Sequence, residues 1–153
     1  MSLTEQATTP TSTQEGHGDG LAWWQAGLAG ILVAAVANLV IYAIGRGAGA
    51  SFDVVDGDTE FTVNAGTVLM FTAVPMALGF VLAVVASRRW PWALRAGEAI
   101  GIALALVTIA LPFAADTDGG TQVALAVMHV GVAVGLVLAF EAYRRHRIAT
   151  TAT

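Results

Sequence analysis

Four residues in otherwise apolar segments have side chains that could support chemistry: Asn38, Thr72, Thr108 and His129. His129 is the most readily ionised of them, and an imidazole within a membrane segment can relay protons or hold a ligand. Counted from the predicted outer ends of their segments, all four lie about 9 to 10 Å deep at helical rise. We therefore expect them to form one polar layer in the outer half of a helical bundle.

Other kinds of site find little support in the sequence. The chain has no Cys, which excludes disulfides and thiolate ligands, and His17 and His146 lie outside the apolar segments, which opposes a bis-histidine haem. The acidic residues around Gly57 lack the spacing of a calcium loop, and no nucleophile arrangement or phosphate-binding loop is recognisable. We expect no enzymatic activity, no cofactor and no metal site.

Composition places the chain in a bilayer. It is 56% hydrophobic and only 12% charged, and its formal net charge of -4 argues against nucleic-acid binding. Apolar runs of a length that can cross a hydrocarbon core of about 30 Å cover residues 21–44, 67–86, 99–115 and 123–142. Residues 1–20 are polar and predict a disordered cytoplasmic tail, and residues 146–153 predict a short cytoplasmic tail. A soluble all-helical core is the competing interpretation, but none of the four runs shows a charged face.

These segments predict an all-α fold, a four-helix transmembrane bundle spanning residues 21–145. Between the first two runs, two β-prone stretches flank Asp56-Gly57, which predicts a short hairpin in the first external loop.

Arginine placement predicts the orientation. Six arginines follow the second and fourth runs, and one lies in the other two loops: Arg88, Arg89, Arg95, Arg144, Arg145 and Arg147 against Arg46. Positive charge is enriched in cytoplasmic loops. We therefore expect a multi-pass protein of the cytoplasmic (inner) membrane with both termini in the cytoplasm.

Small residues recur at helical spacing, as they do where membrane helices pack closely. The candidate packing positions are Gly30, Gly79, Gly101, Gly131 and Gly135. Because His129 lies about 200° around the helix from Gly131, the fourth helix has two candidate protein-facing sides. One of them could serve a homo-oligomer or an unidentified membrane partner.

Short motifs in a fixed order resemble those of a known family. They are Ala37-Asn38-Leu39-Val40-Ile41-Tyr42, Val74-Pro75-Met76 with Gly79, Leu111-Pro112 before Asp116, and Met128-His129. Over about residues 22 to 145 the chain is similar to small four-helix actinobacterial membrane proteins classed as a domain of unknown function. The resemblance implies a four-span fold and transfers no catalytic role.

Two functional interpretations stay open at this point. In the first, the protein is a non-enzymatic structural or accessory bundle, in which Asn38 and neutral His129 hydrogen-bond across the helices and fix their register. In the second, it handles a small molecule or protons through the polar layer. A proton relay would need further acids at depth, and Glu98 and Glu141 lie near the predicted cytoplasmic interface instead.

Overall fold

A computed structural model describes residues 21–151, so the predicted tail at residues 1–20 lies outside the described residues. Within this range four helical segments are long and apolar enough to cross a membrane. The predicted fold class is confirmed, and the four segments indicate a multi-pass membrane protein. The elements are α1 (Trp23–Gly47), β1 (Asp53–Asp56), β2 (Thr59–Thr62), α2 (Ala65–Ser87), α3 (Ala93–Val107), a 3₁₀ turn (Thr108–Ala110), α4 (Leu111–Ala114) and α5 (Gly119–Thr151).

The helices form a closed ring in which α5 contacts α1 and α3, while α2 contacts α1 and α3. Small side chains on α1, such as Ala26 and Ala34, are fully buried, and this lets the backbones of α1 and α5 approach closely. Further along, the rings of Phe80 and Phe140 meet edge to face with their centroids 5.1 Å apart. Each helix thus buries one stripe in the ring and leaves its remaining apolar surface for lipid.

The two ends of the ring differ in chemistry. What we call the arginine end carries residues 88–92 and the last turns of α5, and there Arg147 donates to Ser87 Oγ at 3.3 Å. The opposite end, called the hairpin end, carries β1, β2 and residues 115–118. At that end Val55 and Asp116 exchange backbone hydrogen bonds of 3.0 Å each, so β1 pairs with the connection that precedes α5.

Two helices extend beyond the predicted apolar runs at the arginine end. α3 begins at Ala93, before the apolar run that starts at residue 99, and α5 continues to Thr151, past the end of the run at residue 142. The physical reason is that the charged residues there pair with one another. Arg144 forms ion pairs with Glu98 of α3 and with Glu141, and Arg145 contacts Glu141 at 3.0 Å. Paired side chains allow the helices to continue where hydropathy alone indicates an end.

The third span is interrupted rather than regular. Pro112 has no N–H to donate to the carbonyl of Thr108, and α3 passes through the 3₁₀ turn into the short α4 at this position. The Thr108 hydroxyl donates to the Leu104 carbonyl at 2.8 Å, within its own span. The proline therefore separates the packed part of the span from a short segment beside the hairpin.

The predicted hairpin is present, with Asp53 paired to Thr62 and Asp56 paired to Thr59. Gly57, the first of its two loop residues, has a φ of 60°, which suits glycine in a two-residue hairpin loop. Phe52 precedes β1 with a φ of 59° and is fully buried. Its ring packs on Tyr42 with centroids 4.7 Å apart, and this contact holds the hairpin against the end of α1.

Candidate functional site

A cavity of about 380 Å³ lies beneath the hairpin, between α2, α4 and α5. We call it the hairpin cavity. Its polar lining consists of Asn38, Asp56, Thr72 and His129. The rest of its lining is apolar and comes from the hairpin and from three helices: Val54, Phe61, Val63, Val68, Phe71, Leu111, Pro112, Ala115, Leu125, Met128 and Val132. Three of the four residues of the predicted polar layer therefore line one cavity.

Asn38 is the most deeply placed of these polar side chains, with 2% of its surface exposed. Its Nδ2 donates to Thr72 Oγ1 at 2.9 Å, which links α1 to α2. Among the described residues its Oδ1 has no hydrogen-bond partner, although it is buried. Gly131 of α5 makes room for this oxygen, because a Cβ at that position would collide with it. Half of the amide is thus committed to structure, and the other half remains an unpaired acceptor.

His129, unlike Asn38, makes its hydrogen bond within its own helix. Its Nδ1 lies 2.7 Å from the Leu125 carbonyl, one turn earlier in α5. A carbonyl oxygen only accepts, so Nδ1 carries the proton and Nε2 of the neutral ring is an acceptor. The bond stays within α5, and it therefore orients the imidazole without joining two helices.

Thr108, the fourth residue of the predicted layer, does not join the other three. Its hydroxyl is taken up by the Leu104 carbonyl, and it faces a separate apolar groove of about 690 Å³. This groove lies between α2 and α3, and we call it the α2–α3 groove. Thr108 therefore does not line the hairpin cavity, although its predicted depth equals that of the other three residues. A different side of its span faces the cavity.

The predicted packing glycines also divide into groups. Gly30 and Gly135 face each other across α1 and α5, and a Cβ on Gly135 would lie 2.7 Å from the Gly30 carbonyl oxygen. A Cβ on Gly101 would lie 3.0 Å from the Leu136 side chain, whereas nothing lies within 4 Å of the corresponding position on Gly79. Gly79 instead lines the α2–α3 groove. Gly131 and Gly135 both face α1 of the same chain.

Asp56 was not recognised as a site residue from the sequence, where it reads as part of an acidic turn. Alternate residues of a strand share a face, so Asp56 lies on the same side of β1 as the buried Val54. That periodicity was the available signal. It places one hairpin carboxylate at the cavity, whereas Asp58 in the loop is exposed and is not part of the lining.

Asp118 fixes the hairpin over the cavity. Its carboxylate accepts from the Thr121 hydroxyl at 2.6 Å and the Ser51 hydroxyl at 2.7 Å, and from both backbone N–H groups at 3.0 Å. These donors hold the pKa of the Asp118 carboxyl well below its usual range. Thr121 also accepts from the Phe52 N–H at 2.9 Å, so the hairpin is tied directly to the start of α5.

Charge at the hairpin end is predominantly negative. The described residues there carry six carboxylates, on Asp53, Asp56, Asp58, Glu60, Asp116 and Asp118, and one guanidinium, on Arg46. Arg46 donates to the Ser51 carbonyl at 2.6 Å. Within residues 21–151, no three His, Cys, Asp or Glu side chains are grouped so as to hold a metal ion.

Comparison with known proteins adds family membership to this geometry. Neither the curated proteins nor the solved structures contain a significant match to the chain. A family model matches residues 19–146, which include the first three spans, most of α5, the hairpin and every residue of the hairpin cavity. The chain therefore belongs to the family of unknown function DUF6069.

Proposed function

We propose that this protein is a non-enzymatic, multi-pass protein of the cytoplasmic membrane that binds a small molecule in the hairpin cavity. In this proposal both termini are cytoplasmic, which places the cavity in the outer half of the bilayer. The orientation is supported by the arginines of the arginine end, since basic residues are retained on the cytoplasmic side.

The observation that carries the proposal is an unused acceptor on the wall of the hairpin cavity. His129 lines the cavity, and the bond from Nδ1 to the Leu125 carbonyl leaves Nε2 of the neutral ring as an acceptor. Asn38 Oδ1 instead packs against Gly131, which does not line the cavity. A bound molecule that donates a hydrogen bond to Nε2 would satisfy it, which favours a ligand site over a purely structural layer.

The structural or accessory bundle remains the second candidate, and one bond supports it. The Asn38 to Thr72 hydrogen bond joins α1 and α2, as a register-fixing contact should. His129 lacks such a bond to another helix within the described residues. The two candidates therefore make opposite predictions for His129, which serves as the test.

Native mass spectrometry from mild detergent tests the proposal on wild type and His129→Ala. We expect the wild type to retain a small molecule that His129→Ala loses, with both proteins unfolding within a few degrees of each other. Val130→Ala is the matched control, because Val130 is exposed beside His129 and does not line the cavity. It should retain the molecule.

Two results would contradict the proposal. If both proteins are bare and His129→Ala also unfolds at a clearly lower temperature, His129 has a structural role. If all three proteins retain the same adduct, the molecule is bound elsewhere on the bundle.

A further inference from the structure

We propose that the hairpin cavity takes an amphiphilic amine, a molecule with an apolar body and a protonated amino group. The inference rests on the proposed function and adds the chemical class of the ligand. It follows from the acceptors at the cavity, from the charge around it and from the shape of its opening.

The first step concerns hydrogen bonding. The acceptors left unused around the cavity are His129 Nε2 and the Asp56 carboxylate, while Asn38 Nδ2 and the Thr72 hydroxyl bond to each other. None of the described residues lining the cavity is Arg or Lys. An ammonium group offers three donors and accepts nothing, so it matches these acceptors. A carboxylate or phosphate only accepts, so these groups offer it no hydrogen bond.

The second step concerns charge. Asp56 belongs to the six-carboxylate surface of the hairpin end, and the single guanidinium there, Arg46, already donates to the Ser51 carbonyl. A surface of one sign over a low-dielectric wall concentrates ions of the opposite sign. An organic cation is therefore enriched at the cavity, while an anion is repelled from it.

The third step concerns the apolar body. Phe71 of α2 and Leu111 of α4 line the cavity while 69% and 61% of their surfaces are exposed. The cavity therefore opens sideways between these helices, toward the surface that faces lipid. The lining there is apolar, so an apolar chain can extend through this opening toward lipid.

The orientation of the ligand follows from these steps. Its amino group lies under the hairpin, near His129 and Asp56. Its apolar body extends along the apolar lining toward the opening between Phe71 and Leu111. A molecule of this kind partitions into the bilayer before it binds, and a sideways opening suits that route.

Saturable binding of three probes of equal chain length tests the inference: octylamine, octanoate and 1-octanol. The full-length protein is placed in phosphatidylcholine nanodiscs at neutral pH, and retention of each radiolabelled probe is measured against empty nanodiscs. We expect saturable retention of octylamine, weaker retention of octanol and no saturable retention of octanoate.

Asp56→Asn and Asp58→Asn form a matched pair, since both remove one hairpin carboxylate but only Asp56 lines the cavity. Asp56→Asn should weaken octylamine binding about fivefold, the effect of losing one partly exposed charge pair. Asp58→Asn, which removes a charge from the surface but not from the cavity, should weaken it clearly less. Equal weakening by both variants would overturn the assignment to the cavity, because it would show a diffuse surface effect.

Other outcomes distinguish a failure of this inference from a failure of the proposed function. If octanoate binds as well as octylamine, and His129→Leu abolishes both, the cavity binds small molecules but the amine class is wrong. If no probe binds saturably and native mass spectrometry finds bare protein, the cavity binds no small molecule, and both the inference and the proposed function fail.

Discussion

Asn38 and His129 face one cavity but differ in what their removal should do. Asn38 contributes a bond between two helices, and interhelical hydrogen bonds in membranes are worth about 0.6 kcal/mol on average. His129 is bonded only within α5. The stabilising polar residue and the residue available to a ligand are therefore separate, so His129 can be varied without removing the link between α1 and α2.

Asp118→Ala should lower the thermal stability of the protein at neutral pH, because the carboxylate accepts from Ser51 and Thr121 and caps α5. The folded pKa lies below the unfolded value near 3.8. The stabilisation is therefore complete above that value and declines as the pH falls below it toward the folded pKa. Thermal unfolding of both proteins between pH 7 and pH 2.5 should show their difference shrinking in acid.

Asp116→Ala is the control for that comparison. Asp116 lies in the same connection but joins the hairpin through its backbone N–H and C=O, which alanine retains. A destabilisation equal to that of Asp118→Ala, or a difference that stays constant down to pH 2.5, would contradict the role assigned to the Asp118 carboxylate.

At the scale of single residues, the sequence predicted which polar groups lie in the membrane but only part of their arrangement. Depth was predictable because helical rise is uniform, and it placed Asn38, Thr72 and His129 together. The direction of a side chain around its helix depends on packing, and this is why Thr108 was grouped with them although its hydroxyl bonds the Leu104 carbonyl. Asp56 was overlooked because its strand lies outside the apolar runs.

Helix contacts in this bundle depend on where a glycine faces another backbone. Gly135→Ala should destabilise the protein by about 1 to 3 kcal/mol, the usual effect of overpacking, because its Cβ would lie 2.7 Å from both Ala34 Cβ and the Gly30 carbonyl oxygen. Gly79→Ala should be neutral or slightly stabilising, since the space there is open and alanine is the better helix former.

Unfolding titrations of the two variants in mixed micelles give this comparison directly. The pair is informative because both changes add one methyl group inside a membrane helix. Equal destabilisation would mean that Gly79 is also packed closely, which would contradict an open α2–α3 groove.

The third span is the element whose limits and packing were hardest to predict. Only 11% of its apolar window is buried, against 28 to 39% for the other three spans. Hydropathy identifies a span but does not show how much of it contacts protein. The ion pair between Glu98 and Arg144 also extends the helix beyond the apolar run, and a pairing between distant residues leaves no local signal in the sequence.

For the whole molecule, the bundle followed from the sequence because four runs of membrane length leave few alternatives. The hairpin followed from Asp56-Gly57 between β-prone stretches. Its attachment to α5 did not, since the bonds from Phe52 to Thr121 and from Ser51 to Asp118 join residues 69 and 67 positions apart. These long-range contacts hold the hairpin over the hairpin cavity.

The proposed orientation can be tested on single-cysteine variants, because the natural chain contains no Cys. A membrane-impermeant maleimide should label Asp58→Cys in intact cells, since Asp58 is exposed in the hairpin loop. Arg89→Cys, exposed in the connection between α2 and α3, should be labelled only after the membrane is permeabilised. The reverse pattern would place the hairpin cavity on the cytoplasmic side.

The attachment of the hairpin to α5 has a consequence for biosynthesis. Chains grow at about 5 to 20 residues per second. Thr121, 69 positions after Phe52, is therefore synthesised roughly 3 to 14 seconds later. During that interval α1 and α2 can insert and pair, but the Phe52 N–H lacks its acceptor and the Asp118 carboxylate does not yet exist. Attachment of the hairpin to α5 is therefore among the last contacts to form, and a nascent chain that stalls before α5 lacks the bonds made by Ser51 and Phe52.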